Sequence, residues 1–181
     1  HIKRTGDILA LIKNKRIERD LSTAQVAIMS DFKVPLTYEN KESGKTQFYL
    51  NELCRVFKFL EINMTITAKF NGEVKTITNP TPKLFSDFLI AIRKSKKITQ
   101  TEAANTLDLS KAAYLFKEKN TNGERDRYFT LTEIFKLANK LDFEKEFKVN
   151  KEYPEITVTS LPFEVISKIK RIYADSRSEM T

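Results

Sequence analysis

The chain repeats itself, and that duplication limits its fold more than any other feature. Asp7 to Ala27 and Leu84 to Ala104 run in register at an offset of 77 residues. Ile8 then faces Phe85, Leu11 faces Phe88, Ile12 faces Leu89, Arg16 faces Arg93 and Leu21 faces Ile98. Farther on, Tyr49-Leu50-Asn51-Glu52-Leu53 matches Thr130-Leu131-Thr132-Glu133-Ile134 at an offset of 81, which places extra residues of the second copy around Asn120 to Arg127. Two copies are too few for a solenoid, so tandem units are the natural reading.

Each copy reads as a run of short helices. Ile8, Leu9, Leu11, Ile12 and Ile17 form a helical stripe. Ser22 is an N-cap candidate for a second helix that holds Val26 and Ala27. Val34-Pro35 suits a third helix start, because proline is tolerated at the first helical position. A last helix spans about Gln47 to Leu60. In the second copy Leu84 to Lys97 is the first helix. Thr99 with Glu102 forms a capping box, Ser110 caps the third helix, and Thr130 to Leu141 is the last.

Between the copies the apolar period switches to 2. Met64, Ile66, Ala68 and Phe70 alternate with Thr65, Thr67 and Lys69, and Asn71-Gly72 is a strong hairpin turn because both residues accept positive φ. Asn79-Pro80-Thr81-Pro82 reads as a boundary. Phe147 to Val149 and Ile156 to Thr159 are β-like after the second copy, and an amphipathic helix is expected over Pro162 to Asp175. The expected organisation is a first unit at 1–63, a hairpin and linker at 64–80, a second unit at 81–143, and a β segment with the terminal helix at 144–181.

Composition then excludes several classes. No stretch approaches the roughly 20 apolar residues of a membrane span, and His1-Ile2-Lys3-Arg4 does not read as a signal peptide. The single cysteine, Cys54, cannot form an internal disulfide, which points to a reducing, cytoplasmic setting. With one histidine and one cysteine, neither a structural zinc site nor Cys-His or Ser-His catalysis is expected. No phosphate-cradling glycine loop exists among four scattered glycines. The reading is therefore of a non-enzyme without a cofactor. A net charge of +8 favours an anionic partner. Cutting after Asn79 leaves 13 basic and 9 acidic residues in the first part and 19 and 15 in the rest, so the surplus is shared equally.

Ile98-Thr99-Gln100-Thr101-Glu102-Ala103-Ala104, followed by Leu107 to Lys111 and then Glu118, resembles the helix-turn-helix of the Cro/xre-type phage-repressor family. Leu21-Ser22 through Ala27, Phe32 and Glu42-Ser43-Gly44-Lys45 is a looser match. Asp31 replaces the usual turn glycine, the stretch from Phe32 to Glu42 is one residue longer than in the family pattern, and Lys41 stands where the family has an apolar residue. The resemblance implies a mainly α fold with small β elements. It implies two tandem five-helix-type, lambda-repressor-like helix-turn-helix units, each followed by a β-hairpin, with a C-terminal amphipathic helix. It also implies a sequence-specific, double-stranded DNA-binding regulator of the repressor type. In the first copy Thr23, Lys33, Thr37, Asn40, Lys41 and Lys45 are the candidate DNA contacts. In the second they are Gln100, Ser110, Lys111, Ala113 and Lys117, with Arg125 and Arg127 in the loop before the last helix. In such a family Arg16 and Arg93 brace an internal acid more often than they touch DNA. Tyr38 and Tyr114 read as core residues and Cys54 as a small buried hydrophobe.

Leu115 and Phe116 stand where polar, DNA-facing residues are expected. Together with the apolar stripe of the terminal segment they support an alternative, a protein-interaction module such as an antitoxin, immunity regulator or adaptor. A homodimer is the further partner considered.

Overall fold

The computed structural model describes residues 4–119 and 128–149. Its order is α1 (Thr5–Glu18), α2 (Thr23–Met29), α3 (Pro35–Glu42), α4 (Leu50–Leu60), β1 (Ile62–Phe70) and β2 (Glu73–Thr78). There follow α5 (Pro82–Ser95), α6 (Gln100–Thr106), α7 (Lys111–Lys119), α8 (Leu131–Leu141) and β3 (Glu144–Val149). The expected loop at 120–127, which carries Arg125 and Arg127, lies outside the described residues, as do the β segment at 156–159 and the helix at 162–175.

Local chemistry sets the helix starts. Ser22, Thr99 and Thr130 each accept the N3 backbone N–H, while Gln25, Glu102 and Glu133 return a bond to the cap backbone. Such reciprocal capping satisfies two of the free N–H groups at a helix start. Pro35 is the first residue of α3 and Pro82 the first of α5. Helix ends repeat as well. Asp20 and Lys97, Asp31 and Asp108, and Glu61 and Asp142 all hold φ between 53° and 62°, three pairs of repeat-equivalent residues in the left-handed region. At the first pair, Leu21 N–H donates to the Arg16 carbonyl at 3.0 Å and Ile98 N–H to the Arg93 carbonyl at 3.1 Å, the bond that closes a Schellman-type helix end.

Four helices, rather than the five expected, precede the strand in each copy among the described residues. The chain passes from α4 through left-handed Glu61, and from α8 through Asp142, straight into a strand. Each copy was expected to carry its own hairpin. The described strands make one antiparallel sheet in the order β2-β1-β3, and the 156–159 segment expected to complete the second hairpin lies outside the described residues. Asn71 and Gly72, at φ 52° and 76°, turn β1 into β2. Ile62, Met64, Ile66, Ala68 and Phe70 are buried on one face of β1. On the other face Thr67 and Thr76 share a hydroxyl hydrogen bond at 3.0 Å.

The two copies face one another across a local two-fold axis. Tyr49 and Thr130, equivalent at the offset of 81, form an antiparallel bridge. Around it Leu50 N–H donates to the Phe129 carbonyl at 2.8 Å, and Leu131 N–H donates to the Phe48 carbonyl at 3.0 Å, the same bond made in both directions. In the sheet Thr65 lies opposite Glu146, again its own equivalent. When equivalent residues sit directly opposite in an antiparallel pair, a two-fold axis passes between them. Helix packing obeys the same axis: α1 touches α8, and α5 touches α4. This is the isologous geometry of a symmetric dimer, achieved within one chain. A single apolar core runs through both copies, from Ile8 and Tyr38 to Tyr114 and Leu141.

Candidate nucleic-acid interface

Two buried ion pairs fix α3 on its neighbours, and the second copy repeats both on α7. Arg16 reaches from α1 to Glu42 near the end of α3, with Nε to Oε2 at 2.9 Å and Nη2 to Oε1 at 2.8 Å, while its Nη1 donates to the Leu21 carbonyl at 2.9 Å. Arg93 does the same from α5, with Nε to Glu118 Oε2 at 3.1 Å, Nη2 to Oε1 at 2.8 Å and Nη1 to the Ile98 carbonyl at 3.0 Å. A planar guanidinium suits this two-point grip on a carboxylate. Tyr38 donates its hydroxyl to Glu42 at 2.6 Å. Burial, with the Glu42 carboxylate beside it, pushes the Tyr38 phenol well above its ordinary range, and burial does the same to Tyr114 beside Glu118. Both tyrosines are fully buried, as the sequence led us to expect.

The second pair joins the end of each helix to the start of the next. Lys41 bonds Glu52 and the Gln47 carbonyl. Lys117 bonds Glu133 at 2.7 Å and the Tyr128 carbonyl at 3.3 Å. Glu52 and Glu133 also cap α4 and α8, so each carboxylate ties two helices together. These contacts commit the ammonium groups of Lys41 and Lys117, both expected as DNA contacts, to carboxylates of the chain itself. Lys41 is 1% exposed, and its ammonium is committed to the interior. Its position is an inward one, and a charged side chain is tolerated there because the buried Glu52 carboxylate pairs it. Lys117 is a half-buried member of an equivalent pair.

The other candidates are distributed over α2–α3 and α6–α7. Lys33 and Lys45 are exposed on either side of α3, and Thr37 and Asn40 are half-buried on it. Thr23 is half-buried at the start of α2. In the second copy Lys111 is exposed at the start of α7, and Ala113 is half-buried one turn in. Ser110 is exposed, and its Oγ accepts the Ala113 N–H at 3.1 Å, so it serves as a cap. Gln100 Nε2 lies 3.5 Å from Glu118 Oε1, which turns the side chain toward the interior carboxylate rather than toward a phosphate. Thr37 and Asn40 thus lie on α3 with Lys33 before it and Lys45 after it, and Lys111 and Ala113 lie on α7.

Sequence reasoning missed the apolar entrance to α3. Val34 and Leu36 are 54% and 57% exposed at its first turn. Phe116, on α7, is 50% exposed, whereas Leu115 is half-buried. Overlaying the copies with the one-residue correction, an offset of 76, would have shown Leu36 above Ala112 and Asn40 above Phe116.

Each internal ion pair is neutral as a unit, so the whole +8 surplus resides outside these pairs. A concavity of about 820 Å³ runs between α4, the start of β1 and Asn79–Pro82, with Cys54 on its wall. Burial pushes the Cys54 thiol up to about 11, so at neutral pH it is protonated and a poor nucleophile. No helix among the described residues is long and apolar enough to cross a membrane. Comparisons with protein-family models, with curated proteins and with solved structures return no match for this chain.

Proposed function

We propose that the protein is a sequence-specific, double-stranded DNA-binding regulator that uses α2–α3 and α6–α7 as two helix-turn-helix units. The observation that carries this reading is the repetition of one braced helix pair on both sides of a local two-fold axis. A regulator needs its recognition helix held rigidly against the scaffold, because base contacts are directional. Arg16–Glu42 with Lys41–Glu52, and Arg93–Glu118 with Lys117–Glu133, hold α3 and α7 in that way. The first helix of each pair would lie over the phosphate backbone and the second would enter the major groove with its N-terminal residues. Lys33, Lys45 and Lys111 would neutralise phosphates, and Thr37 and Asn40 would meet base edges. Two units using successive major grooves on one face must stand about 34 Å apart, or a multiple of it.

Retardation of mixed genomic duplexes at about 100 mM salt tests the reading, and bound complexes are the expected result. Free DNA at every protein concentration would oppose it. A second reading, docking to a protein, is favoured by the exposure of Val34 and Leu36. A stoichiometric protein partner, together with no salt-sensitive DNA binding, would select it instead.

A further inference from the structure

We infer that one chain, with no second copy, occupies both halves of an imperfect inverted repeat, one half under α3 and the other under α7. The inference rests on the DNA-binding reading and extends it to the symmetry of the target and the stoichiometry of the complex.

The two-fold axis is the first support. Equivalent residues meet at Tyr49 and Thr130 and at Thr65 and Glu146, and α1 touches α8 as α5 touches α4, so a local two-fold axis passes between the two copies at these contacts. Two helices related by a two-fold axis approach a duplex with opposite polarity along it. They therefore read an inverted repeat, whereas units related by a simple translation would read a direct one. The second support is that the self-complementary surface is already used. The backbone groups of Phe48, Leu50, Phe129 and Leu131 bond one another within the chain, and both edges of β1 are paired, by β2 and by β3. A second copy therefore has no claim on the contacts that generate the axis.

The halves should differ in kind. On α3 the half-buried Thr37 and Asn40 are the polar candidates, and an asparagine can bond the N6 and N7 edge of adenine with two hydrogen bonds. The equivalent positions on α7 are Ala113 and Phe116, which offer no side-chain hydrogen bond and suit a thymine methyl. One half-site is then fixed by hydrogen bonds and the other by apolar contact and shape.

The test is selection of bound duplexes from a random library with the full chain, followed by the mass of the selected complex from sedimentation. The expected result is one chain per duplex and a motif of two unlike halves in inverted orientation. Asn40→Ala should relax base preference about tenfold at a position in one half and leave the other half unchanged. Two chains on a perfect palindrome, a direct repeat, or a single isolated half-site would overturn the inference while leaving DNA binding intact. A complete lack of duplex binding would overturn both, and would be distinguished by the empty selection itself.

Discussion

Replacing Arg93 by alanine should be among the most damaging single changes in the second copy. The side chains of Arg93 and Glu118 are 7% and 2% exposed, and the substitution removes three interior hydrogen bonds at once, two to Glu118 and one to the Ile98 carbonyl. The carboxylate would remain in the core with its main counter-charge gone. Removing one member of a buried pair costs about 3–5 kcal/mol, a large fraction of the roughly 5–15 kcal/mol that holds a domain folded. At a urea slope of about 1–3 kcal/mol per molar, the midpoint falls by about 1 M or more. Urea unfolding of the single variants Arg93→Ala and Glu118→Gln and of the double variant gives the coupling between them. The double variant should be less destabilised than the sum of the singles, since no uncompensated charge is left. The difference should persist in 1 M salt, because a buried pair is poorly screened. An Arg93→Ala cost below about 1 kcal/mol, or strict additivity, would refute the claim that this pair fixes α7, because exposed pairs are worth that little.

Three further outcomes follow from the same geometry. Lys97 ends α5 with φ 56° and an exposed side chain, so Lys97→Gly should raise stability by about 1 kcal/mol in thermal unfolding; a loss would show that the side chain matters more than the backbone. Gly44 follows α3 at φ 86° with Leu9 Cδ1 3.4 Å from where a Cβ would lie, and Gly44→Ala should cost about 1–2 kcal/mol, whereas an unchanged midpoint would count against the strain. The Cys54 thiol, raised from 9.0 to about 11, gives a contribution that is complete below about pH 9 and is lost as the pH climbs from 9 to 11. The Tyr38 and Tyr114 phenols, raised well above 10.0, begin to lose theirs only above about pH 10 and go on losing it as the pH rises further. Each group whose unfolded form has ionised lowers the unfolding free energy by about 1.4 kcal/mol per pH unit. Tyr38→Phe should flatten that alkaline decline, and identical profiles for variant and parent would contradict it.

Much of the local structure is legible in the sequence because short-range chemistry decides it. Ser22, Thr99, Ser110 and Thr130 are caps by residue type and spacing, Pro35 opens α3, and Asn71-Gly72 turns the hairpin. The duplication also predicts that Arg16 and Arg93 should share a role, and both grip an interior acid. What could not be read is what depends on distant partners. Lys41 looks like a surface lysine until Glu52 is known to stand beside it. Nothing local shows that β3 pairs with β1, a strand more than 70 residues earlier. Strand pairing between remote segments is set by the whole core, and periodicity gives only the strand. The two-fold axis has the same origin: the repeat reveals two similar units but not how they face each other.

The most direct test of the account is the salt dependence of duplex binding, measured by fluorescence anisotropy on a duplex taken from the bound fraction. Affinity should fall linearly on a double-logarithmic scale as salt rises, because each neutralised phosphate releases counterions. Lys111→Ala should lower the steepness of that line by about one. Lys41→Ala, whose ammonium faces Glu52 in the interior, should lower stability and leave the slope as it was. A slope near zero, or one that responds to Lys41 and ignores Lys111, would contradict the placement of DNA against α3 and α7.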